Sequence, residues 1–313
     1  MATFIDGFEQ FKDDTGTLMR LAGYTPVGSV STAAGRKGGI ALSVYRSKMT
    51  RKWQFNGDIM TIGAACFYDQ RGPIIGVEKN GVGIYVWVDA TTGLLNIGQT
   101  DQLNNVGYAN PLKSRWYYYE LTLDRNTGQA TIYINGKADS SYAFPPSLSG
   151  EVTLVMNPYD VVTSDFGTRQ FDDFYAADAA RLAPIQVTTR FPTADGSKTD
   201  WSYTGAPSAW QAVSAPVDML DKFIYSSVDG TQQTFVSATS LPDTNPIKYL
   251  QLITLFRKAT SDPMSLDFNI DSQVVREANI SKDWTFRYTS MSAAGYTPAN
   301  IVTAEFGVKL DLG

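Results

Sequence analysis

Alternation of apolar and polar residues is the feature of this sequence that most limits the folds open to it. Residues 264–271 alternate over eight positions, and residues 302–312 alternate over eleven. A period of two places one face of a strand on a core and the other toward water, as in an antiparallel sheet. We therefore predict an all-β chain in which both segments form strands.

Turn signals in the first half predict hairpins. Residues 116–123 and 130–135 are rich in aromatic and β-branched residues, and the Asp-Arg-Asn-Thr-Gly sequence at 124–128 joins them. A similar Asp-x-x-Thr-Gly turn at 89–93 follows the strand-like residues 83–88. Asp and Asn form tight turns through local hydrogen bonds, and glycine supplies positive φ.

A domain boundary is predicted near residues 183 and 184, which gives domains 1–183 and 184–313. A stretch rich in Pro, Gly and Ser follows and continues to about residue 216. The segment 248–256 then resumes a strand-like pattern. No segment longer than about ten residues shows a helical stripe. The alanine-rich residues 176–181 are the best candidate for a short helix or linker.

The composition removes several classes of chemistry. The 313-residue chain has no histidine, so it lacks the commonest general base near neutral pH and the commonest transition-metal ligand. Its single cysteine, Cys66, excludes an internal disulfide and a multi-cysteine zinc site. Small and aromatic neighbours predict that this thiol is buried and inert. We expect no cofactor.

The charge balance argues against two kinds of partner. Thirty-one acidic and 26 basic residues give a net charge of −5, which provides no general attraction to nucleic acid. No apolar run approaches the about 18 residues of a membrane helix, so no membrane insertion is expected. The first residues lack the basic start and apolar segment of a signal peptide, which predicts synthesis and folding in a cytosol.

The first half resembles a concanavalin A-like (LamG-type) jelly-roll sandwich over about residues 1–180. The resemblance rests on an opening strand at 4–8, a glycine-containing strand at 36–42, the hairpin 116–136 and a closing strand at 171–175. It implies that the opening and closing strands lie side by side. The implied fold is all-β: a jelly-roll sandwich followed by a second β-sandwich-like domain.

The whole chain is similar to a class of tailed-bacteriophage virion proteins. That similarity is carried by Phe-Pro-Thr-Ala-Asp-Gly at 191–196, Trp201, Leu-Phe-Arg-Lys at 255–258 and the closing Ala-Glu-Phe-Gly-Val-Lys at 304–309. It implies a structural component of the virion and leaves open which shell, tail or appendage contains it.

Some concanavalin A-like proteins are glycoside hydrolases, which need two carboxyl groups about 5–9.5 Å apart. The glucanase pattern Glu-x-Asp-x-x-Glu is absent. Glu120 and Asp124 are better explained as a solvent-facing carboxylate and a turn-starting residue. Asp172 and Asp173 are similarly predicted to be an edge and turn feature. No catalytic residue is assigned.

A calcium site is considered at Asp267, Asn269 and Asp271, because these residues resemble the first half of an EF-hand loop. Ser272 replaces the glycine that such a loop requires, and Ala278 stands where a bidentate Glu is needed. The alternation instead predicts that these residues form the wet face of a strand. No metal site is assigned.

Aromatic residues on predicted strand faces are the candidate contact residues. Tyr85, Trp87, Tyr117 and Tyr119 offer rings that stack on sugars or anchor a protein interface. Core packing is the expected role for about half of them. The low charged fraction, 18%, favours subunit contacts for the remainder.

These observations predict a non-enzymatic structural component of a bacteriophage virion, in the tail or associated with it. Its expected partners are copies of itself and other virion proteins, with host surface glycans as a further class. Two alternatives remain open: a head decoration or head-fibre protein, and a carbohydrate-binding host-recognition module. A polysaccharide-degrading enzyme is a third and weaker alternative. The expected location is the virion, after synthesis in the bacterial host cytoplasm.

Overall fold

The computed structural model describes residues 3–12, 16–99, 105–158, 167–214, 220–237, 240–241, 244–278 and 280–312. The chain divides into two compact units, Met1–Val187 and Thr188–Gly313. Strands dominate both, whereas the α-helices α1 (Thr17–Leu21) and α2 (Ala209–Val213) are single short turns. The predicted all-β class is confirmed.

The strands of the first unit form one antiparallel array. From one end its order is β11-β10-β9-β4-β13-β3-β12-β5-β6-β7-β8, with β1 added to β13 and β2 to β3. A 3-10 turn (Glu9–Phe11) and α1 lie between β1 and β2. The bounds are β1 (Thr3–Asp6), β2 (Tyr24–Ala34), β3 (Ile40–Phe55), β4 (Ile59–Tyr68), β5 (Gly72–Lys79), β6 (Val82–Val88), β7 (Leu95–Gly98), β8 (Asn105–Val106), β9 (Trp116–Asp124), β10 (Gln129–Ile134), β11 (Lys137–Ala143), β12 (Gly150–Met156) and β13 (Thr168–Ala177).

The long strand β3 belongs to both parts of this array, because it pairs with β13 along one segment and with β12 along another. Its residues 42–45 pair with β13, and its residues 49–55 pair with β12. Arg46, between the two segments, has φ 46°, and the opposing strand β2 shifts register next to Gly28. A bulge increases local twist and bends a strand, which lets one strand serve both layers of a sandwich.

The expected pairing of the opening and closing strands is confirmed. Phe4 lies opposite Ala176, and Ile5 lies opposite Tyr175, in an antiparallel pair. The predicted hairpin is also confirmed, because β9 and β10 pair and the Asp124 carboxylate accepts the backbone N–H of Asn126 at 2.9 Å. The first unit is thus a jelly-roll sandwich of the expected kind.

Strands β4, β9 and β13 are buried on both faces because the chain folds back over them after β13. We call residues 178–187 the cover segment. Its apolar side chains Ala179, Leu182 and Ile185 pack against a cluster that includes Tyr118 and Tyr175. Of the two alternatives for residues 176–181, the short helix is wrong, since residues 176 and 177 end β13 and the remainder starts this cover without helical structure. The predicted boundary after residue 183 falls inside it.

The second unit has a five-stranded antiparallel sheet and two hairpin ribbons. The sheet order is β14-β17-β22-β19-β20, and the ribbons pair β15 with β16 and β18 with β21. The helix α2 follows β15, and a 3-10 turn (Ile301–Thr303) precedes β22. The bounds are β14 (Ala194–Thr199), β15 (Ser202–Thr204), β16 (Phe223–Tyr225), β17 (Gln232–Val236), β18 (Leu250–Phe256), β19 (Ser265–Ile270), β20 (Gln273–Glu277), β21 (Thr285–Met291) and β22 (Glu305–Asp311).

The core of the second unit lies between this sheet and the β18–β21 ribbon, a sandwich-like arrangement. Leu266, Phe268 and Leu310 of the sheet cluster with Met291 of the ribbon, and Phe256 packs against them. The alternating segment 264–271 is confirmed as a strand. The segment 302–312 is a strand only from Glu305, because the preceding residues form the 3-10 turn.

Candidate functional site

Three of the four candidate aromatic rings are buried, so these three are core residues rather than glycan or interface contacts. Tyr85 and Trp87 in β6 and Tyr119 in β9 are at most 3% exposed. Both faces of β6 are covered, and Tyr85 donates a hydrogen bond to the Glu78 carboxylate at 3.1 Å. Tyr117 is half-buried, and its hydroxyl accepts the Leu112 N–H at 3.2 Å.

Glu120 does not face solvent, contrary to prediction. Its side chain is fully buried under the cover segment, where it accepts Tyr175 Oη at 2.6 Å and pairs with Arg181 at 2.8 Å. The Tyr175 ring occupies the space beside Gly63, where a Cβ would overlap it. Burial and the neighbouring Glu120 raise the pKa of Tyr175, so this hydroxyl remains a donor. Glu120 is therefore bound to internal partners, while Asp124 starts a turn as predicted.

Asp172 and Asp173 lie inside β13, between β4 and β3, so the prediction of an edge feature is wrong. The Asp173 carboxylate pairs with Arg36 at 2.6 Å and accepts the Val187 N–H at 2.6 Å. Asp172 accepts the backbone N–H of Arg36 at 2.8 Å. Burial, followed by the charge of Asp172, raises the pKa of Asp173 to about 7.

These carboxylates fasten the cover segment. Asp173 accepts the Val187 N–H, and Glu120 accepts a hydrogen bond from Arg181. In addition, the Arg36 guanidinium, which pairs with Asp173, donates to the Ile185 carbonyl at 2.9 Å. Charged groups with this many fixed partners are positioned to hold a chain segment. The arrangement supplies no acid and base facing a common cleft.

The predicted burial of Cys66 is confirmed. Its thiol is fully buried, and burial raises its pKa to about 12, so the reactive thiolate is disfavoured near neutral pH. Among the described residues, no three His, Cys, Asp or Glu side chains converge as a metal site would require. Asp267 pairs instead with Arg276, and Asp271 accepts the Glu305 N–H.

Segments that carry the virion-like resemblance meet on the five-stranded sheet of the second unit. Glu305 begins β22, and its carboxylate accepts Ser197 N at 3.0 Å, Ser197 Oγ at 2.8 Å and Thr234 Oγ1 at 2.8 Å. Ser197 belongs to β14 and Thr234 to the intervening β17. One side chain therefore ties three adjacent strands. Burial alone would raise the pKa of Glu305, but the hydrogen bonds from Ser197 and Thr234 outweigh it and leave the pKa below its ordinary value.

Glycines of the same two motifs make this approach possible. A Cβ on Gly196 would overlap Thr234 Oγ1, and a Cβ on Gly307 would overlap the Gln233 carbonyl oxygen. Asp195 in the first motif accepts Trp210 N at 2.9 Å, which fixes the start of α2 on β14. The two motifs are thus architectural: their polar residues join strands and a helix.

The second unit also holds surface features that the sequence patterns missed. Phe223 contacts Tyr225 and Trp284 edge-on, with ring centroids 6.1 and 6.3 Å apart, and Arg257 lies 4.8 Å from the Trp284 ring. We call these four residues the aromatic row. Tyr225 is 51% exposed. The residues are separated in the chain, so the available signal was only the aromatic content of 223–225.

A polar groove is the second missed feature. It lies beside the Asp271–Ser272 turn and is formed with residues of the segment 292–304. In the sequence, Asp271 was the end of an alternating strand and a rejected calcium ligand, and Tyr296 and Asn300, which line the groove with it, carried no motif.

Comparisons with known proteins concern the fold alone. No protein-family model matches the sequence, and no curated protein matches it. Among solved structures, a sialidase is similar at 13% identity and a TM-score of 0.41 over 56% of this chain and 18% of that chain. Lectin II from Ulex europaeus is similar at 8% identity and a TM-score of 0.40 over 56% of this chain and 97% of that chain. The alginate lyase AlgAT5 of polysaccharide lyase family 7 is similar at 9% identity and a TM-score of 0.37 over 48% of this chain and 83% of that chain.

In the described ranges, no helix has the length and apolar composition that crossing a membrane requires.

Proposed function

We propose that the chain is a non-enzymatic structural subunit of a tailed-bacteriophage virion, located in the tail or associated with it. The observation that carries the proposal is the meeting of the two virion-like motifs at Glu305. The first motif, residues 191–196, ends next to Ser197, which hydrogen-bonds to Glu305 of the second motif, residues 304–309, and Glu305 joins β14, β17 and β22. This role of the two motifs in joining strands supports a structural subunit.

The candidate catalytic carboxylates are held in ion pairs within the protein, which supports the non-enzymatic part of the proposal. Glu120 is paired with Arg181, and Asp173 is paired with Arg36. General acid–base catalysis requires a group within hydrogen-bond reach of a substrate proton. Both carboxylates lie under the cover segment and are satisfied by the protein itself.

The aromatic row supports the assembly part of the proposal. Interfaces are enriched in Tyr, Trp, Phe and Arg, and the row combines all four in one patch. Repeated copies of a modest contact give strong overall binding because each later contact forms within an existing assembly. Closed symmetry would use the same patch on every subunit.

The first test is particle composition. Virions purified from cells infected by the phage that carries this gene are digested and analysed by peptide mass spectrometry. We expect many copies per particle, whereas a lysis enzyme of the same phage serves as the non-virion control. Absence of the chain from particles that contain their known shell and tail proteins would refute the proposal.

The second test is self-association. Sedimentation velocity of the full chain should show oligomers that grow with concentration. Tyr225→Ser should weaken that association at least tenfold, whereas Tyr108→Ser, at a position 91% exposed in the first unit, is the matched control. Equal association of the two variants would show that the aromatic row is not the contact. Cryo-electron microscopy of the particle would then separate a tail location from head decoration.

A further inference from the structure

A groove of about 640 Å³ lies at one end of the second unit's sheet. Asp271 and Gln273 come from the turn between β19 and β20, and Ser292, Tyr296 and Asn300 come from the chain between β21 and β22. Small-molecule sites occupy about 300–1,000 Å³, so the groove has a suitable size. Its residues all belong to one compact unit.

Internal hydrogen bonds fix the polar walls of the groove. The Asp271 carboxylate accepts Tyr296 Oη at 2.8 Å and Glu305 N at 2.9 Å. The Gln273 amide accepts Ser292 N at 2.8 Å and donates to Ser292 O at 3.0 Å. Groups that are already oriented lose little rotamer freedom when a ligand arrives, which favours binding.

The same walls retain hydrogen-bonding capacity. Each Asp271 oxygen has one bond in the structure, and a carboxylate oxygen has room for a second. The Asn300 amide donates one of its two N–H groups, to the Gly295 carbonyl at 2.9 Å. Ser292 Oγ accepts Ala294 N at 3.1 Å, which leaves its hydroxyl proton as a donor. The groove thus offers acceptors and donors together.

The charge of the groove narrows the class of ligand. Asp271 is the one charged side chain among the described residues that line it. Without Lys or Arg, the groove has no cationic partner for a phosphate or a carboxylate ligand, and Asp271 repels both. A single carboxylate also falls short of the several oxygen ligands that Ca²⁺ requires. A neutral ligand with several hydroxyl groups satisfies the remaining donors and acceptors.

We infer that this groove binds a neutral saccharide. Vicinal hydroxyls donate to the Asp271 carboxylate and accept from the Asn300 amide, while the half-buried Tyr296 ring offers an apolar surface to the C–H face of the sugar. The inference is independent of the virion proposal, because it rests on the groove alone. It also places glycan recognition in the second unit, away from the buried rings Tyr85 and Trp87.

The test is binding of the full chain to defined saccharides. Saturation-transfer NMR with glucose, galactose, mannose, N-acetylglucosamine and their β-linked and α-linked disaccharides identifies a ligand, and titration gives its affinity. Ala294→Trp fills the groove from an exposed lining position without removing an internal hydrogen bond. Ala278→Trp is the matched control at an exposed alanine outside the groove. Asp271→Asn preserves a residue that accepts positive φ and removes the charge.

We expect at least one neutral saccharide to bind, with affinity reduced at least tenfold by Ala294→Trp and by Asp271→Asn. The control Ala278→Trp should bind as the parent does, and thermal unfolding should show that all variants are folded. No binding by any of these saccharides would overturn the inference. Binding that survives Ala294→Trp, or that Ala278→Trp removes equally, would also overturn it.

Discussion

The two units bury their side chains to different depths. The largest fully buried side chains of the described residues, including Trp87 and Arg169, all belong to the first unit. In the second unit, every residue of β18 is half-buried. The first unit also encloses charges, since Glu120 and Asp173 are buried with their arginine partners.

This difference decides where polar groups remain able to bind a partner. A buried charge is costly unless it is fully paired, so the first unit satisfies its carboxylates internally. The shallower second unit keeps Asp271 and Tyr225 at its surface. The paired carboxylates of the first unit are therefore withdrawn from solvent, whereas Asp271 and Tyr225 remain accessible to a partner.

The largest expected effect compares the two cores directly. Phe171→Ala in β13 removes a ring that is 0% exposed and should lower the free energy of unfolding by about 4 kcal/mol. Phe256→Ala removes a half-buried ring next to Phe268 and should cost about 2 kcal/mol. Urea unfolding followed by tryptophan fluorescence measures both. Equal losses would show that burial depth does not distinguish the units.

The second prediction concerns the buried ion pair beneath the cover segment. Glu120→Gln leaves Arg181 without its counter-charge and should cost about 3 kcal/mol, because one partner of a buried pair then remains uncompensated. The control is Glu151→Gln, whose pair with Lys52 is exposed and should be worth about 0–1 kcal/mol. Urea unfolding tests both, and a loss under 1 kcal/mol for Glu120→Gln would contradict the fastening role.

The third prediction uses pH. Because the pKa of Asp173 is raised to about 7 by burial and by Asp172, the unfolded chain releases this proton at lower pH than the folded chain. The contribution is fully present below the unfolded pKa and is lost as pH rises through about 7. Between pH 5 and pH 7 the loss should be about 2 kcal/mol.

Asp173→Asn should remove that pH dependence, although Arg36 and Lys37 still face the position. Asparagine tolerates the positive φ of 51° found there. Unfolding free energies at pH 5, 6 and 7 measure the slope, with Asp124→Asn as the control in the same unit. If the Asp173→Asn slope matches that of the parent chain, another group is responsible.

Local patterns predicted the elements whose partners lie nearby in the sequence. The β9–β10 hairpin followed from Asp124 and Gly128, and β19 followed from strict alternation. The surface assignment of Tyr85 and Trp87 failed because β6 is buried on both faces. A continuous apolar run, as at residues 84–88, is the signal typical of such a strand.

The surroundings of Glu120 and Asp271 could not be predicted from sequence patterns, for a different reason. Glu120 is buried because the cover segment folds over it, and that fold-back depends on Gly63 leaving room for Tyr175. The groove joins Asp271 with Tyr296 through the return of β22 to β19. Neither contact has a characteristic spacing, because tertiary packing brings the residues together.

The smallest expected effect concerns Glu305 in the second unit. Its contribution to stability depends on pH in the opposite direction to that of Asp173. The hydrogen bonds to Glu305 hold its pKa below the ordinary value despite burial, so its contribution is present at neutral pH and is lost as pH falls through the folded pKa. Glu305→Gln turns an amide N–H toward donors of Ser197 or Thr234 and should cost about 1 kcal/mol at pH 7. Thermal unfolding at pH 7 and pH 4 should show a smaller difference between variant and parent at the lower pH. Glu277→Gln, which removes the charge of a partly exposed pair with Arg287, is the control. A Glu305→Gln variant as stable as the parent at pH 7 would mean that the three-strand junction does not depend on this carboxylate. The expected loss would instead place the virion-like motifs among the interactions that stabilise the second unit.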